Sequence, residues 1–125
     1  MFSCGENISP EESSYQTKIL YLGNGTDPKD LDPHTVTGVP ESKILMALIE
    51  GLVIRNPEGK DPLPGMAKSW EISSDGKEYN FYLRDAVWSN GDPVTSYDFV
   101  YAWKRMLLPS LGSKYPDMLY DIVNA

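Results

Sequence analysis

In residues 70–103, WEISSDGKEYNFYLRDAVWSNGDPVTSYDFVYAW, the hydrophobic pattern changes its period twice. Apolar Trp70 and Ile72 alternate with polar neighbours, and the alternation resumes over residues 79–84 after a Ser-Asp-Gly turn sequence. Alternation places the apolar side chains on one face of a strand. Two such runs around a short turn therefore predict a β-hairpin.

The second half of this stretch predicts a tight turn followed by a helix. Asn90-Gly91 suits the positive backbone dihedrals that such turns require. Thr95 and Asp98 resemble a capping box, with Asp98 in place of Glu or Gln. Apolar side chains then recur at helical spacing, at Phe99, Val100, Trp103, Met106 and Leu107. Pro109 ends the predicted helix.

Shorter elements are predicted on both sides of this unit. Residues 18–22 alternate well enough for a short strand, and residues 23–40 contain three prolines and three glycines, which is typical of a loop. A helix is predicted over 41–50, a brief strand over 52–54, and a last helix beginning near Pro116. The three tryptophans are interpreted as packing residues rather than ligand contacts, because large aromatics are mostly buried.

Several motifs are spaced along the chain. In order they are LDPH at 31–34, GVPES at 38–42, EGL at 50–52, PGMAKSWE at 64–71, SDG at 74–76, FYLR at 81–84, WSNGDPVT at 88–95 and DFVYAWKR at 98–105. This set of motifs, in this order, resembles the oligopeptide-binding proteins that serve ABC importers, known as bacterial extracellular solute-binding protein family 5. Members of this family are several times longer than 125 residues. The resemblance therefore implies an incomplete, N-terminal part of a family 5 domain over residues 18–125.

The resemblance implies a fold and a binding mode. The fold is α+β (α/β), an N-terminal fragment of a two-lobed, class C periplasmic-binding-protein-like architecture, with a β-hairpin packed with helices. In the family the peptide lies extended between the lobes and pairs with protein backbone. Its contact positions correspond to Thr37, Gly38, Val39 and Tyr115. Without the resemblance, the first three would be a loop leading into a helix and Tyr115 a half-buried aromatic.

Charge and composition limit the possible partners. Eighteen acidic and eleven basic residues give a net charge of -7 and a pI near 4.5, which disfavours nucleic acid as a partner. The sequence has no continuous apolar run of the roughly twenty residues that a membrane-spanning helix needs. One cysteine permits neither an internal disulfide nor a zinc cluster built on several thiolates.

The single cysteine, Cys4, follows Phe2-Ser3 and precedes a polar segment. This arrangement resembles the end of a bacterial lipoprotein signal, in which the cysteine becomes lipidated, and residues 1–17 are interpreted as a lipoprotein-type tether. An incidental exposed cysteine is the alternative. Lipidation predicts a protein of the bacterial periplasm or cell surface that is anchored to the membrane through Cys4.

Catalytic and metal-binding motifs are not evident. No Gly-x-Ser-x-Gly, His-Glu-x-x-His or phosphate-loop pattern occurs, so the protein is predicted not to be an enzyme and to need no cofactor. Asp27, Asp30 and Asp32 lie near His34, but their spacing does not match a calcium loop, and His34 is interpreted as a hydrogen-bonded structural residue.

Two functions remain open from the sequence. The first is the N-terminal portion of a substrate-binding lipoprotein that captures oligopeptides and delivers them to the permease of an ABC importer. The second is a truncated stand-alone surface module that binds a protein partner.

Overall fold

The computed structural model describes residues 18–19 and 21–124, so Cys4 and the predicted tether lie outside the described residues. Within these residues the structure has two helices, two antiparallel pairs of strands and two 3-10 turns, and it is of the predicted α+β class. In chain order they are α1 (Val39–Leu48), β1 (Val53–Ile54), β2 (Leu63–Pro64), β3 (Ala67–Ile72), β4 (Tyr79–Leu83), α2 (Ser96–Leu107), and the 3-10 turns Pro109–Leu111 and Pro116–Leu119.

The predicted hairpin is confirmed as β3 and β4. Trp70 pairs with Phe81 and Ile72 pairs with Tyr79, so the alternating apolar residues share one face as the sequence pattern requires. The Trp70 and Phe81 ring centroids are 6.3 Å apart, within the range of aromatic pairs. A register shift after Ala67 places an extra residue in β3.

A smaller ribbon lies before the hairpin. β1 pairs with β2 through Val53 with Pro64 and Ile54 with Leu63. The backbone N–H groups of Met66 and Ala67 then donate to the carbonyls of Gly51 and Leu52, each over 2.9 Å. These bonds place Met66 and Ala67 in the interior, where they are 7% and 0% exposed.

The turn and the helix start predicted after the hairpin are both present. Gly91 has a φ of +94°, and its N–H donates to the carbonyl of Trp88 over 2.9 Å. At the start of α2, the Asp98 carboxylate accepts the Thr95 backbone N–H over 2.7 Å and the Thr95 hydroxyl over 3.0 Å. The carboxylate thus satisfies a donor that a helix start would otherwise leave unpaired.

Two predicted elements and two helix bounds differ from the structure. Residues 18, 19, 21 and 22 are not in a strand, because the described part of the chain offers them no partner strand. The last predicted helix is only the four-residue 3-10 turn Pro116–Leu119, since so short a segment lacks the length that makes an α-helix persist. Helix α1 covers 39–48 rather than 41–50, so it begins with Val39-Pro40.

Large apolar side chains remain exposed on both helices and in the last segment. Met66 and Ala67 are the buried hydrophobic residues of the described ranges, whereas Trp88 and Trp103 are 47% and 37% exposed. The packing predicted for these two tryptophans is therefore incomplete within these ranges. None of the described helices has the length and hydropathy to cross a membrane.

Candidate functional site

The loop before α1 is built on aspartate turns. Asp30 Oδ1 accepts the N–H groups of Leu31 and Asp32, over 2.7 and 3.2 Å. Asp32 Oδ1 accepts the N–H of His34 over 3.0 Å, and the Asp32 carbonyl accepts the N–H of Thr35 over 3.2 Å. Aspartate side chains often cap their own backbone in this way. The loop therefore has a defined shape despite its prolines and glycines.

Arg105 on α2 contacts this loop from 73 residues away. Its guanidinium is bidentate on Asp32, with Nη1 donating to Oδ1 over 2.8 Å and Nη2 donating to Oδ2 over 2.5 Å. Nη1 also lies 2.7 Å from His34 Nδ1. The interpretation of His34 as a hydrogen-bonded structural residue is confirmed by this contact. No group of three or more His, Cys, Asp or Glu side chains within 18–19 and 21–124 could hold a metal ion.

The contacts of Arg105 change the pKa values of Asp32 and His34. The side-chain hydrogen bonds of Arg105, followed by the His34 N–H, lower the pKa of Asp32 to about 2. Burial lowers the pKa of His34, and the positive charge of Arg105 adds to that effect. Asp32 is therefore ionised and His34 neutral near pH 7, as a guanidinium that donates to both of them requires.

Glu41 fixes the start of α1. It is 6% exposed, and its Oε1 accepts the backbone N–H of Lys29 over 2.8 Å. This bond, together with one from its own N–H, lowers the pKa of Glu41. A negative charge in the first helical turn is also favoured by the helix dipole. Glu41 thereby connects the loop before α1 to the first turn of that helix.

The same carboxylate lies close to residue 38, which is a glycine. A Cβ on Gly38 would lie 1.9 Å from Glu41 Oε2 and 2.9 Å from Glu41 Cδ, which is sterically impossible without movement. The φ of Gly38 is -83°, so the requirement concerns space and not backbone conformation. Gly38 therefore has a structural role in addition to any contact with a ligand.

Three of the four predicted peptide-contacting residues line one groove. Thr37, Gly38 and Tyr115 lie around a cavity of about 380 Å³. Its other walls are mostly apolar, formed by Pro33, Val36, Ser42, Leu45, Met46 and Ile49. Val39 does not line this groove, and it is exposed in the first turn of α1. Tyr115 is 49% exposed at the start of the last 3-10 turn.

A second cavity shares part of the same segment. Its volume is about 460 Å³, and charged residues are among those that line it, namely Asp27, Lys29, Asp30 and Glu41. Val36, Thr37 and Gly38 line both cavities. Residues 36–38 thus form a wall that the two cavities share.

Thr37, in the middle of this wall, makes no backbone hydrogen bond with the residues that the structure describes. Among the described residues, none donates to the carbonyl of Thr37 and none accepts its N–H, although the carbonyl of the next residue, Gly38, accepts the N–H of Ser42 over 3.0 Å. An extended ligand could pair with these groups as an added strand does. Arg105, which anchors the loop that ends at this wall, was not predicted as a site residue, because no local sequence pattern links it to Asp32.

Comparison with known proteins places this geometry in context. Residues 61–125 match the family described as bacterial extracellular solute-binding proteins, family 5 Middle. The periplasmic oligopeptide-binding protein OppA of Haemophilus influenzae is 45% identical over 120 residues, which are 94% of this chain and 22% of that protein. OppA of Escherichia coli is 45% identical over 105 residues, which are 83% of this chain and 19% of that protein.

The chain is also similar to a solved structure of one of these relatives. The crystal structure of Haemophilus influenzae OppA in complex with the peptide RPPGFSPFR aligns with a TM-score of 0.71 and 49% identity, over 77% of this chain and 19% of that one. The chain thus spans about a fifth of the length of the relatives that it matches.

Proposed function

Because the chain belongs to family 5 of the bacterial extracellular solute-binding proteins, we propose that it is the N-terminal portion of the substrate-binding lipoprotein of an ABC importer. In this role the protein captures oligopeptides and delivers them to the membrane permease. Oligopeptide binding in the named relatives, and the peptide in the Haemophilus influenzae complex, support this ligand class. The relatives are named as binding proteins, and catalysis is not part of the proposal.

The proposal rests mainly on the backbone N–H and C=O groups of Thr37. Its N–H and C=O have no partner among the described residues, and they lie at the groove that Tyr115 also lines. Backbone pairing is largely independent of side-chain sequence, so it suits a protein that accepts many peptides. Thr37 and Gly38 would supply the backbone contact, and Tyr115 would provide an aromatic surface in the same groove. Val39, at the start of α1, would contact a peptide only outside this groove.

Exposed apolar side chains support the idea that further chain completes the fold. Met46 on α1 is 74% exposed, and Tyr97 and Tyr101 on α2 are 82% and 69% exposed. Such faces are usually covered in a finished domain. In the proposed complete protein, the remaining part of the family 5 domain covers them and forms the second wall of the peptide cleft.

The membrane attachment and the compartment are also proposals. The relatives from Haemophilus influenzae and Escherichia coli are named periplasmic proteins, which supports a location outside the cytoplasmic membrane. Cys4, which lies outside the described residues, would carry the lipid anchor that keeps the protein close to its permease. One acyl chain binds a membrane only marginally, so stable anchoring would require more than one.

The test of the peptide site compares two substitutions at one position in the complete protein. Thr37→Pro removes the backbone N–H, whereas Thr37→Ala keeps it and shortens only the side chain. Calorimetric titration with RPPGFSPFR is expected to show a loss in affinity on the order of tenfold for Thr37→Pro, and a smaller loss for Thr37→Ala. Equal losses would assign the contact to the threonine side chain and contradict backbone pairing.

The genomic test concerns the alternative of a stand-alone module. An in-frame continuation of several hundred codons beyond residue 125 is expected. A stop codon at that point, together with detectable protein and no peptide binding, would instead support a surface module with a protein partner.

A further inference from the structure

Arg105 makes contacts that fix the state of its neighbours. Its Nη1 donates to Asp32 Oδ1 over 2.8 Å and lies 2.7 Å from His34 Nδ1. Because a guanidinium can only donate, His34 Nδ1 must accept, and the imidazole must be neutral with its proton on Nε2. The observed arrangement is therefore compatible with only one protonation state of His34.

This cluster is connected along the chain to both parts of the proposed peptide site. On one side, the Asp32 carbonyl accepts the N–H of Val36, the residue before Thr37, over 3.2 Å. On the other side, α2 ends at Leu107 and leads through a 3-10 turn towards Tyr115. The position of the 36–38 wall relative to Tyr115 thus depends on the link between Arg105 and the Asp32 turn.

We propose that Arg105 is a positioning residue for the peptide site, and that protonation of His34 loosens the link and weakens peptide binding in mild acid. The inference rests on the proposed function, since it assumes that peptide binds at Thr37 and Tyr115. A protonated imidazole would carry hydrogen on Nδ1 and point it at a guanidinium N–H. That contact would become repulsive, and the Asp32 turn would be retained by Arg105 through the carboxylate alone.

The charges around the cluster determine the direction of the effect. Arg105 on α2 and Asp32 in its own turn are the charged groups that act on His34, and Tyr101 on α2 acts on Arg105. Burial and Arg105 lower the pKa of His34 from its ordinary value of 6.5, and Asp32 opposes this shift. Neutral His34 therefore stabilises the link between Arg105 and the Asp32 turn fully above pH 6.5. This stabilisation is lost as the pH falls through the lowered pKa of His34. Asp32, with a pKa of about 2, stays ionised throughout this window.

The expected loss of peptide affinity depends on the fraction of protein molecules in which Arg105 is linked to the Asp32 turn. If peptide binds only the linked arrangement, the apparent dissociation constant rises as the fraction of linked molecules falls. A fall in that fraction to between a third and a tenth gives a weakening of roughly three- to tenfold between pH 7.5 and pH 5.0. Other titrating groups also affect the affinity for peptide. The test therefore needs a variant in which residue 34 no longer titrates and the rest of the protein is unchanged.

His34→Asn provides that variant, because the asparagine Oδ1 can accept from Arg105 near the position of Nδ1 and does not titrate. The complete protein and H34N are titrated with RPPGFSPFR at pH 7.5 and 5.0. The natural protein should lose roughly three- to tenfold in affinity, and H34N should change by less than about twofold. Arg105→Lys keeps the charge but loses the bidentate geometry, so it should bind more weakly at both pH values and with little pH dependence.

Lys104→Ala serves as the matched control, because it removes a neighbouring positive charge from an exposed position on the same helix. It should retain the pH profile of the natural protein. A flat profile in the natural protein, or an unchanged pH dependence in H34N, would overturn the positioning role while leaving peptide binding intact. No binding of RPPGFSPFR at pH 7.5 by the natural protein would count against the proposed function itself, and with it against this inference.

Discussion

Arg84 forms an ion pair with Glu50, which precedes it by 34 residues and lies just beyond the end of α1. The Nε–H of the same guanidinium donates to the carbonyl of Gly65 over 3.3 Å. Arg84 follows β4 directly, so one side chain connects the base of the hairpin both to the segment that follows α1 and to the segment between β2 and β3.

We expect the Glu50 half of this connection to contribute little to stability. The Arg84 and Glu50 side chains are 45% and 36% exposed, and ion pairs at such positions are worth about 0–1 kcal/mol. Urea unfolding of the complete protein should show a loss of less than about 1 kcal/mol for Glu50→Gln. Arg84→Ala should cost more, because it also removes the bond to Gly65. A larger loss for Glu50→Gln than for Arg84→Ala would contradict this view.

Asp32 is expected to stabilise the protein in a pH-dependent manner. Its pKa is about 2 in the folded protein and 3.8 ordinarily, which corresponds to about 1–2 kcal/mol after allowance for a side chain that is 26% exposed. This contribution is present above pH 3.8 and is lost as the pH falls towards 2. Asp32→Asn should therefore lower the free energy of unfolding at pH 6, and the difference from the natural protein should shrink below pH 4.

Gly38→Ala tests the close approach of Glu41. The added methyl group would overlap the carboxylate, and overpacking of this kind costs roughly 1–3 kcal/mol. Glu41→Ala should create the missing space, so the double variant should lose less stability than the sum of the two single variants. Thermal and urea unfolding of all three variants would measure this coupling. Strict additivity would show that residue 38 can move away from Glu41 at no cost.

Tyr115 is expected to act through its ring. Tyr115→Ala should weaken the binding of RPPGFSPFR by about tenfold, which lies within the range for one aromatic contact. Tyr115→Phe should bind within about twofold of the natural protein, since only the hydroxyl is lost. The melting temperature should change little in either case, because the side chain is half-exposed. If Tyr115→Phe were as damaging as Tyr115→Ala, a hydrogen bond from the hydroxyl would be the important contact.

Cys4 is expected to become the lipidated amino terminus when the natural upstream signal is present. Mass spectrometry of protein extracted from membranes should find a diacylated or triacylated Cys4 at the first position. Cys4→Ser should release the protein from the membrane fraction, because serine cannot form the thioether. An unmodified thiol, or an amino terminus elsewhere, would exclude this anchor.

Local patterns in the sequence were sufficient to predict the hairpin and α2. Alternation predicted that Trp70 and Phe81 share a face, and the Thr95 and Asp98 pair predicted the helix start, because each signal involves residues that interact with near neighbours. The strand predicted at 18–22 failed for the opposite reason. A strand requires a partner, and alternation within one segment cannot show whether such a partner exists.

The site was only partly predictable for a similar reason. Thr37, Gly38 and Tyr115 were named through resemblance to a family, and they line one groove. Sequence reasoning did not identify Arg105 as their link, nor the steric role of Gly38 against Glu41. Both depend on atoms brought together by the fold, across 73 residues in the first case. Val39 was named with its neighbours, yet it is the first residue of α1 and does not line the groove.

The separation of Asp32 and Arg105 also has a consequence for biosynthesis. The hairpin can close soon after its two strands are translated, whereas Asp32 must wait for 73 more residues before its guanidinium partner exists. At ~5–20 residues per second, this interval lasts roughly 4–15 s. During that time the nascent loop can be captured by chaperones or cleaved by proteases. A ribosome that stalls before the codon for Arg105 would hold a nascent chain in which the Asp32 turn lacks its guanidinium partner.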